Sequence, residues 1–232
     1  MFNSVVADEA GNLYAVATFG NVSSAPLEMP LKDGSSTSLA VTNNWGEDYL
    51  LVKFNKDGEI LWATSIGSKF RENGTPDVTV GEDGNPVICG VFNAANGNLT
   101  NESEEKREFY IGEQKYLLYP EQSKESALVK LNSTDGSVMW SRYFTGTGNQ
   151  EVLKVQAVSG SNAVAVTGKA NNQIIVEGSA GLSTETVTHV SGADHLFVIS
   201  FDVDGKLLWS KSASGDTSSE GKEISSDDLG NI

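Results

Sequence analysis

Apolar residues in this chain fall in short runs with no 3.6-residue period, and three of the runs open the same longer phrase. Leu50-Leu51-Val52-Lys53-Phe54 is followed by Gly58 and Trp62, and Ala127-Leu128-Val129-Lys130-Leu131 by Gly136 and Trp140. Phe197-Val198-Ile199-Ser200-Phe201 is followed by Gly205 and Trp209. Leu50, Val52 and Phe54 lie on one side of an extended chain, with Tyr49 and Leu51 on the other. A run that is apolar on both faces predicts a strand enclosed between sheets. Asp57-Gly58, Asp135-Gly136 and Asp204-Gly205 then predict hairpins, because glycine takes positive φ there without steric cost. The returning strand carries the tryptophan. Two further hairpins turn at Glu82-Asp83-Gly84-Asn85 and at Ser159-Gly160-Ser161-Asn162, and the same element recurs around Gly11-Asn12 and Gly230-Asn231.

Two hairpins in succession predict a four-stranded antiparallel sheet, the size of one propeller blade, and copies of such a unit predict sheets stacked on one another. The reading is all-β: one region, 1–232, of about three blade equivalents. It divides into 1–46 (the trailing part of a blade), 47–124 and 125–193 (blade units), and 194–232 (the leading part of a blade). Propellers close with about four to eight blades, so the chain is expected to belong to a larger propeller. The alternative is assembly of two copies into one ring. Trp62, Trp140 and Trp209 stand 78 and 69 residues apart, more than the ~40–50 residues of common blade repeats.

The excess lies in segments 20–47, 93–124 and 171–193, which contain strand-like pieces at 108–111, 116–119 and 186–190. Segments of this kind on a rigid scaffold are where binding is expected. Each tryptophan is expected to fill the wedge between neighbouring sheets. The lysine before the turn is expected to snorkel to the sheet edge or to pair with the acidic residue near its own strand start.

Charge narrows the partners. With 16 Lys and Arg against 31 Asp and Glu, the net charge is −15. Such a surface repels phosphate backbones and anionic lipid, which argues against nucleic acid and membrane surfaces. No apolar stretch reaches the ~20 residues of a membrane-spanning helix, and Met1-Phe2-Asn3-Ser4 does not open a signal peptide. The single cysteine, Cys89, excludes an intramolecular disulfide and sits in an apolar run, where it reads as a small buried hydrophobe.

Candidate chemistry is sparse. His189 and His195 with one cysteine do not make a zinc site, and each reads as structural. Asp202-Val203-Asp204-Gly205 resembles the start of a calcium loop but lacks the later ligands, so it reads as a hairpin turn. Asn21, Asn73, Asn98, Asn101 and Asn132 head Asn-x-Ser/Thr sequons, some of which arise by chance in a chain rich in Asn, Ser and Thr and which would go unused in a bacterial source. No residue is nominated as catalytic, cofactor-binding or metal-ligating, and no cofactor is expected.

The pattern of Asp48, Val52, Lys53, Gly58, Trp62 and Gly67 resembles the SBBP family of bacterial β-propeller repeats, and Gly84-Asn85 and Cys89-Gly90 continue it. Glu125, Val129, Lys130, Gly136 and Trp140 repeat it, while the third copy departs at His195 and Ser200. The resemblance covers essentially the whole chain. It implies a propeller fold and an exported or surface location, and is nearly silent on activity. The expected function is therefore a non-catalytic, extracytoplasmic binding or scaffold module that offers its inter-unit segments to a protein or glycan. The alternatives are a quinoprotein-like propeller with a calcium-bearing central funnel, and a glycan-binding lectin.

Overall fold

The computed structural model describes residues 2–20, 26–39, 47–68, 74–93, 108–117, 124–179, 181–188 and 192–232. His189, the sequons at Asn21, Asn73, Asn98 and Asn101, and residues 118–119 and 189–190 of the strand-like pieces lie outside the described residues.

The described residues are all-β, in antiparallel sheets, as expected. In chain order the strands are β1 (Phe2–Ala7), β2 (Leu13–Gly20), β3 (Leu27–Pro30), β4 (Ser36–Leu39), β5 (Glu47–Phe54) and β6 (Ile60–Ser68). Next come β7 (Asp77–Val80), β8 (Pro86–Asn93), β9 (Glu108–Ile111), β10 (Gln114–Leu117), β11 (Lys124–Leu131) and β12 (Val138–Thr145). The last six are β13 (Gln150–Ala157), β14 (Val164–Ala170), β15 (Ile174–Gly178), β16 (Glu185–Thr188), β17 (His195–Phe201) and β18 (Leu207–Ser212).

Strand pairing differs from the sequence expectation in one respect. The two hairpins of one unit do not share a sheet: β8 pairs with β11, not with β6. The first sheet runs β1-β2-β5-β6, the second β7-β8-β11-β12 and the third β13-β14-β17-β18. Each sheet therefore joins the second hairpin of one unit to the tryptophan hairpin of the next. The sequence boundaries at 46/47 and 193/194 fall between a sheet's second and third strands, and 124/125 falls at the first residue of β11. The physical reason is that β2, β5, β8, β11, β14 and β17 are all densely apolar, so their local pattern does not encode which neighbour each one meets.

The repeated phrase has one local geometry. Asn55, Asn132 and Asp202 open the three turns, and Gly58, Gly136 and Gly205 close them at φ of 80°, 73° and 79°. The Asn55 side-chain Oδ1 accepts from the Asp57 and Glu59 amides, and Asp202 Oδ1 accepts from Asp204 and Lys206. That is an Asx turn, and it engages the Asp202 carboxylate that resembled a calcium ligand. Each hairpin then slips register, between Lys53 and Phe54, Lys130 and Leu131, and Ser200 and Phe201. The slip sets Lys53 opposite Trp62, Lys130 opposite Trp140 and Ser200 opposite Trp209.

The sheets stack face to face. One apolar cluster joins Tyr14, Tyr49, Leu51 and Trp62 of the first sheet to Ile88, Val129, Leu131 and Tyr143 of the second. Edge-on ring contacts run through it from Tyr49 to Phe92 (5.2 Å), Phe109 (4.5 Å) and Tyr143 (5.8 Å). A second cluster joins Cys89, Leu128, Trp140 and Phe144 to Val152, Val166, Phe197 and Ile199 of the third sheet. The middle sheet is thus buried on both faces, which its continuous apolar strands require.

The strand-like pieces of the inter-unit segments form strands where they are described, and these strands join neighbouring sheets. β9 and β10, from the second unit's segment, pair onto β6 and widen the first sheet. β15 and β16 do the same to β12 of the second sheet. β3 and β4 form a separate two-stranded sheet, held by the Lys32 amide donating to the Ile60 carbonyl at 2.8 Å. Met29 and Leu39 cover the outer face of the first sheet.

Candidate functional site

Tryptophan and lysine fasten each sheet to the next. Trp62 Nε1 and Lys53 Nζ both donate to the Ser133 carbonyl, at 3.0 and 2.8 Å. One sheet further on, Trp140 Nε1 and Lys130 Nζ donate to the Val203 carbonyl, at 2.8 and 3.1 Å. The acceptors are equivalent residues of the two Asp-Gly turns. Lys53 also lies 5.0 Å from the centroid of the Tyr14 ring, a cation–π distance. Lys130 is buried and bonds Asp83 at 2.6 Å. It therefore does not snorkel, and the carboxylate it meets belongs to the preceding hairpin turn instead of its own strand start.

Around these fasteners the turns of the first hairpins leave a groove of about 620 Å³. Asp8, Glu9 and Asn12 come from the first sheet, and Glu82 and Asp83 from the second. Ala157, Val158 and Ser159 come from the third, while Lys53 and Ser133 form part of the lining. Asp8 is fixed by hydrogen bonds from the Asn12 amide and side chain, both at 2.8 Å. Burial pushes its carboxyl up, but the Asn12 bonds and the nearby Lys53 charge outweigh this and hold it below the ordinary carboxylate range. Asp83 follows the same balance: burial raises it, and bonds from Lys130 and Asn85 lower it further than burial lifts it. Burial pulls the Lys53 ammonium down, with Asp8 acting against that pull. Glu82 accepts a hydrogen bond from the Gly160 amide and so bridges the second and third sheets.

The groove thus carries four carboxylates, of which Asp83 is paired with the Lys130 ammonium behind it, and Lys53 is the lysine in its lining. Such a surface favours cationic or hydroxyl-rich ligands by charge and by hydrogen-bond acceptance. Among the described residues no group of three or more His, Cys, Asp or Glu is placed to hold a metal ion. His195 is buried at the start of β17 opposite Ala170. Cys89 is buried in β8 opposite Leu128, where desolvation first and the Asp77 charge second push its thiol well up. Asn132 uses its side-chain oxygen inside its turn, accepting from the Thr134 amide at 2.8 Å.

None of His195, Cys89, Asp202 and Asn132, the residues whose types alone suggested chemistry, lines the groove. The residues that do line it are legible in the sequence only as turn formers. Their shared signal is the acidic pair in the recurring turns, Asp8-Glu9 and Glu82-Asp83. Compared with known proteins, the chain matches no family model and no curated protein.

Proposed function

We propose that the three stacked sheets are propeller blades and that the chain is a non-catalytic, extracytoplasmic binding or scaffold module. Its groove takes a basic segment of a partner protein. Three sheets with one strand order support the blade reading, as do first strands that neighbour each other, β1 beside β7 and β7 beside β13. The resemblance to SBBP repeats supports the extracytoplasmic location. The observation that carries the binding reading is the convergence of Asp8, Glu9, Glu82 and Asp83 on one groove at the turn end of three sheets.

Asp8, Asp83 and Glu82 also hold turns and sheets in place, which leaves Glu9 as the groove carboxylate to alter first. Titration calorimetry with an oligolysine peptide and with neutral oligosaccharides tests the assignment. Saturable peptide binding that weakens in Glu9→Gln supports it. Saturable oligosaccharide binding without peptide binding would replace it with the lectin reading.

A further inference from the structure

Two internal interfaces define how one sheet recognises the next. Among the described residues, Trp209 of the third sheet and the Asn55–Gly58 turn of the first are left without their counterparts, while β3–β4 lies over Leu50 and Val52 on the outer face of the first sheet. Trp62 and Trp140 are 7% and 6% exposed, each with its indole N–H bonded to the next sheet's turn and its ring against that turn's glycine. A Cβ on Gly136 would stand 3.0 Å from Trp62, and one on Gly205 2.7 Å from Trp140. Trp209 has the same register but is 39% exposed, and its N–H has no hydrogen bond among the described residues. In the first sheet the matching turn is Asn55 to Gly58. Nothing lies within 4 Å of where a Cβ on Gly58 would be, and the Lys56 carbonyl, counterpart of Ser133 and Val203, has no donor among the described residues.

Edge strands repeat the complementarity. β9–β10 pairs on the outer edge of β6 and β15–β16 on that of β12, whereas among the described residues β18, though touched by β16 through Ser210 Oγ donating to the Val187 carbonyl, has no strand paired on its outer edge, and β3–β4 widens no sheet. The segment after β18 supplies a third match. Residues 219–231 lie over the third sheet much as β13 lies over the second. The Ser219 and Gly221 amides donate to Asp194 and Gly168, and Ser226 Oγ donates to Ala157. The Asp227–Asn231 turn then reproduces the Asp8–Asn12 turn bond for bond. No strand pairs with this segment among the described residues.

We propose that the third sheet of one copy receives the first sheet of a second copy, head to tail. Trp209 then donates to the Lys56 carbonyl over Gly58, and β3 of the incoming copy pairs with β18. Residues 222–226 and β1 are equivalent elements competing for one place beside β2. β1, a largely exposed edge strand, leaves β2, and residues 222–226 of the first copy pair there instead. A contact of this kind is heterologous, so it closes a ring or grows without limit. Two copies bring six sheets, within the range at which propellers close. That closure rests on the propeller reading above, whereas the docking itself does not.

The test is sedimentation velocity of the full chain from micromolar to submillimolar concentration. Alongside it run Trp209→Glu, Gly58→Arg and an equimolar mixture of the two, with circular dichroism and melting curves to show that each variant is folded. Wild type is expected to associate with rising concentration, and each variant alone to remain monomeric. The mixture is expected to form a one-to-one pair, because an intact Trp209 meets an intact Gly58 only there. Amides of residues 222–226 are expected to gain hydrogen-exchange protection in the wild-type assembly. A wild type that stays monomeric throughout overturns the docking, and so does a folded Trp209→Glu chain that associates as tightly as wild type. Growth of wild type past two copies supports the docking and refutes closure of a ring by six sheets.

Discussion

Trp140 and Trp209 occupy the same register in consecutive sheets, and truncating each to alanine tests whether the tryptophan works through the following sheet. Trp140 is 6% exposed, donates to the Val203 carbonyl at 2.8 Å and packs against Gly205. Removing a buried ring of this size costs about 3–5 kcal/mol. Trp140→Phe keeps most of the ring and loses the N–H, leaving Lys130 as the sole donor to Val203. That change alone costs about 0.5–1.5 kcal/mol. Trp209 is 39% exposed with no bonded N–H among the described residues, so Trp209→Ala costs about 1–2 kcal/mol from the area it does bury. For a chain of this size 1 kcal/mol moves Tm by about 2–4 °C. Trp140→Ala is therefore expected to melt roughly 6–20 °C below wild type, with Trp209→Ala only a few degrees below. Calorimetry at low micromolar concentration keeps self-association out of the comparison. If the two alanine variants melt together, the tryptophan acts within its own hairpin, and its role as a fastener between sheets is refuted.

Gly205→Ala and Gly58→Ala impose the same strain, since φ is 79° and 80°, but only the former drives a Cβ against Trp140. The former is expected to melt lower, and the difference in Tm measures the ring contact. Asp83 has a folded carboxyl held below its ordinary value. Its stabilisation is complete above about pH 4 and is lost as pH falls through the lowered folded value. Lys130→Met removes the hydrogen bond that lowers it, so the variant should be less stable at pH 7 and lose less in Tm between pH 4 and pH 2 than wild type does. Cys89, buried with a raised thiol, should react with a thiol reagent only in denaturant. Labelling of the native protein at the rate of a free thiol would contradict its placement in β8.

Much of this architecture is legible in the sequence because it is local. Asp57-Gly58, Asp135-Gly136 and Asp204-Gly205 specify their turns through one residue's tolerance of positive φ, and each turn stands where that dipeptide does. Strand pairing across 26 residues from Gly20 to Glu47 has no such code, so a division into sheets read from the sequence falls half a unit out of phase. Lys130 shows a related limit. Its burial beside Asp83 depends on a turn 47 residues away, and no periodicity within β11 announces it. The groove is hidden for a third reason. Asp8, Glu82 and Asp83 are ordinary residues for a hairpin turn, so their convergence emerges only when the turns of neighbouring sheets stand together.

The backward reach of the inter-unit segments has a consequence for how this molecule comes apart. Stacked repeats that touch only through their faces can open one at a time from an end, because each depends on its neighbours alone. Here β9–β10 lies in the chain between β8 and β11 of the second sheet and by its ladder is part of the first, and β15–β16, between β14 and β17 of the third sheet, ties the next pair in the same way. Opening the first sheet at β6 releases strands that the connection into β11 still holds. Fraying is coupled to the loss of the adjoining sheet, and the stack is built to melt as one cooperative body instead of shedding layers.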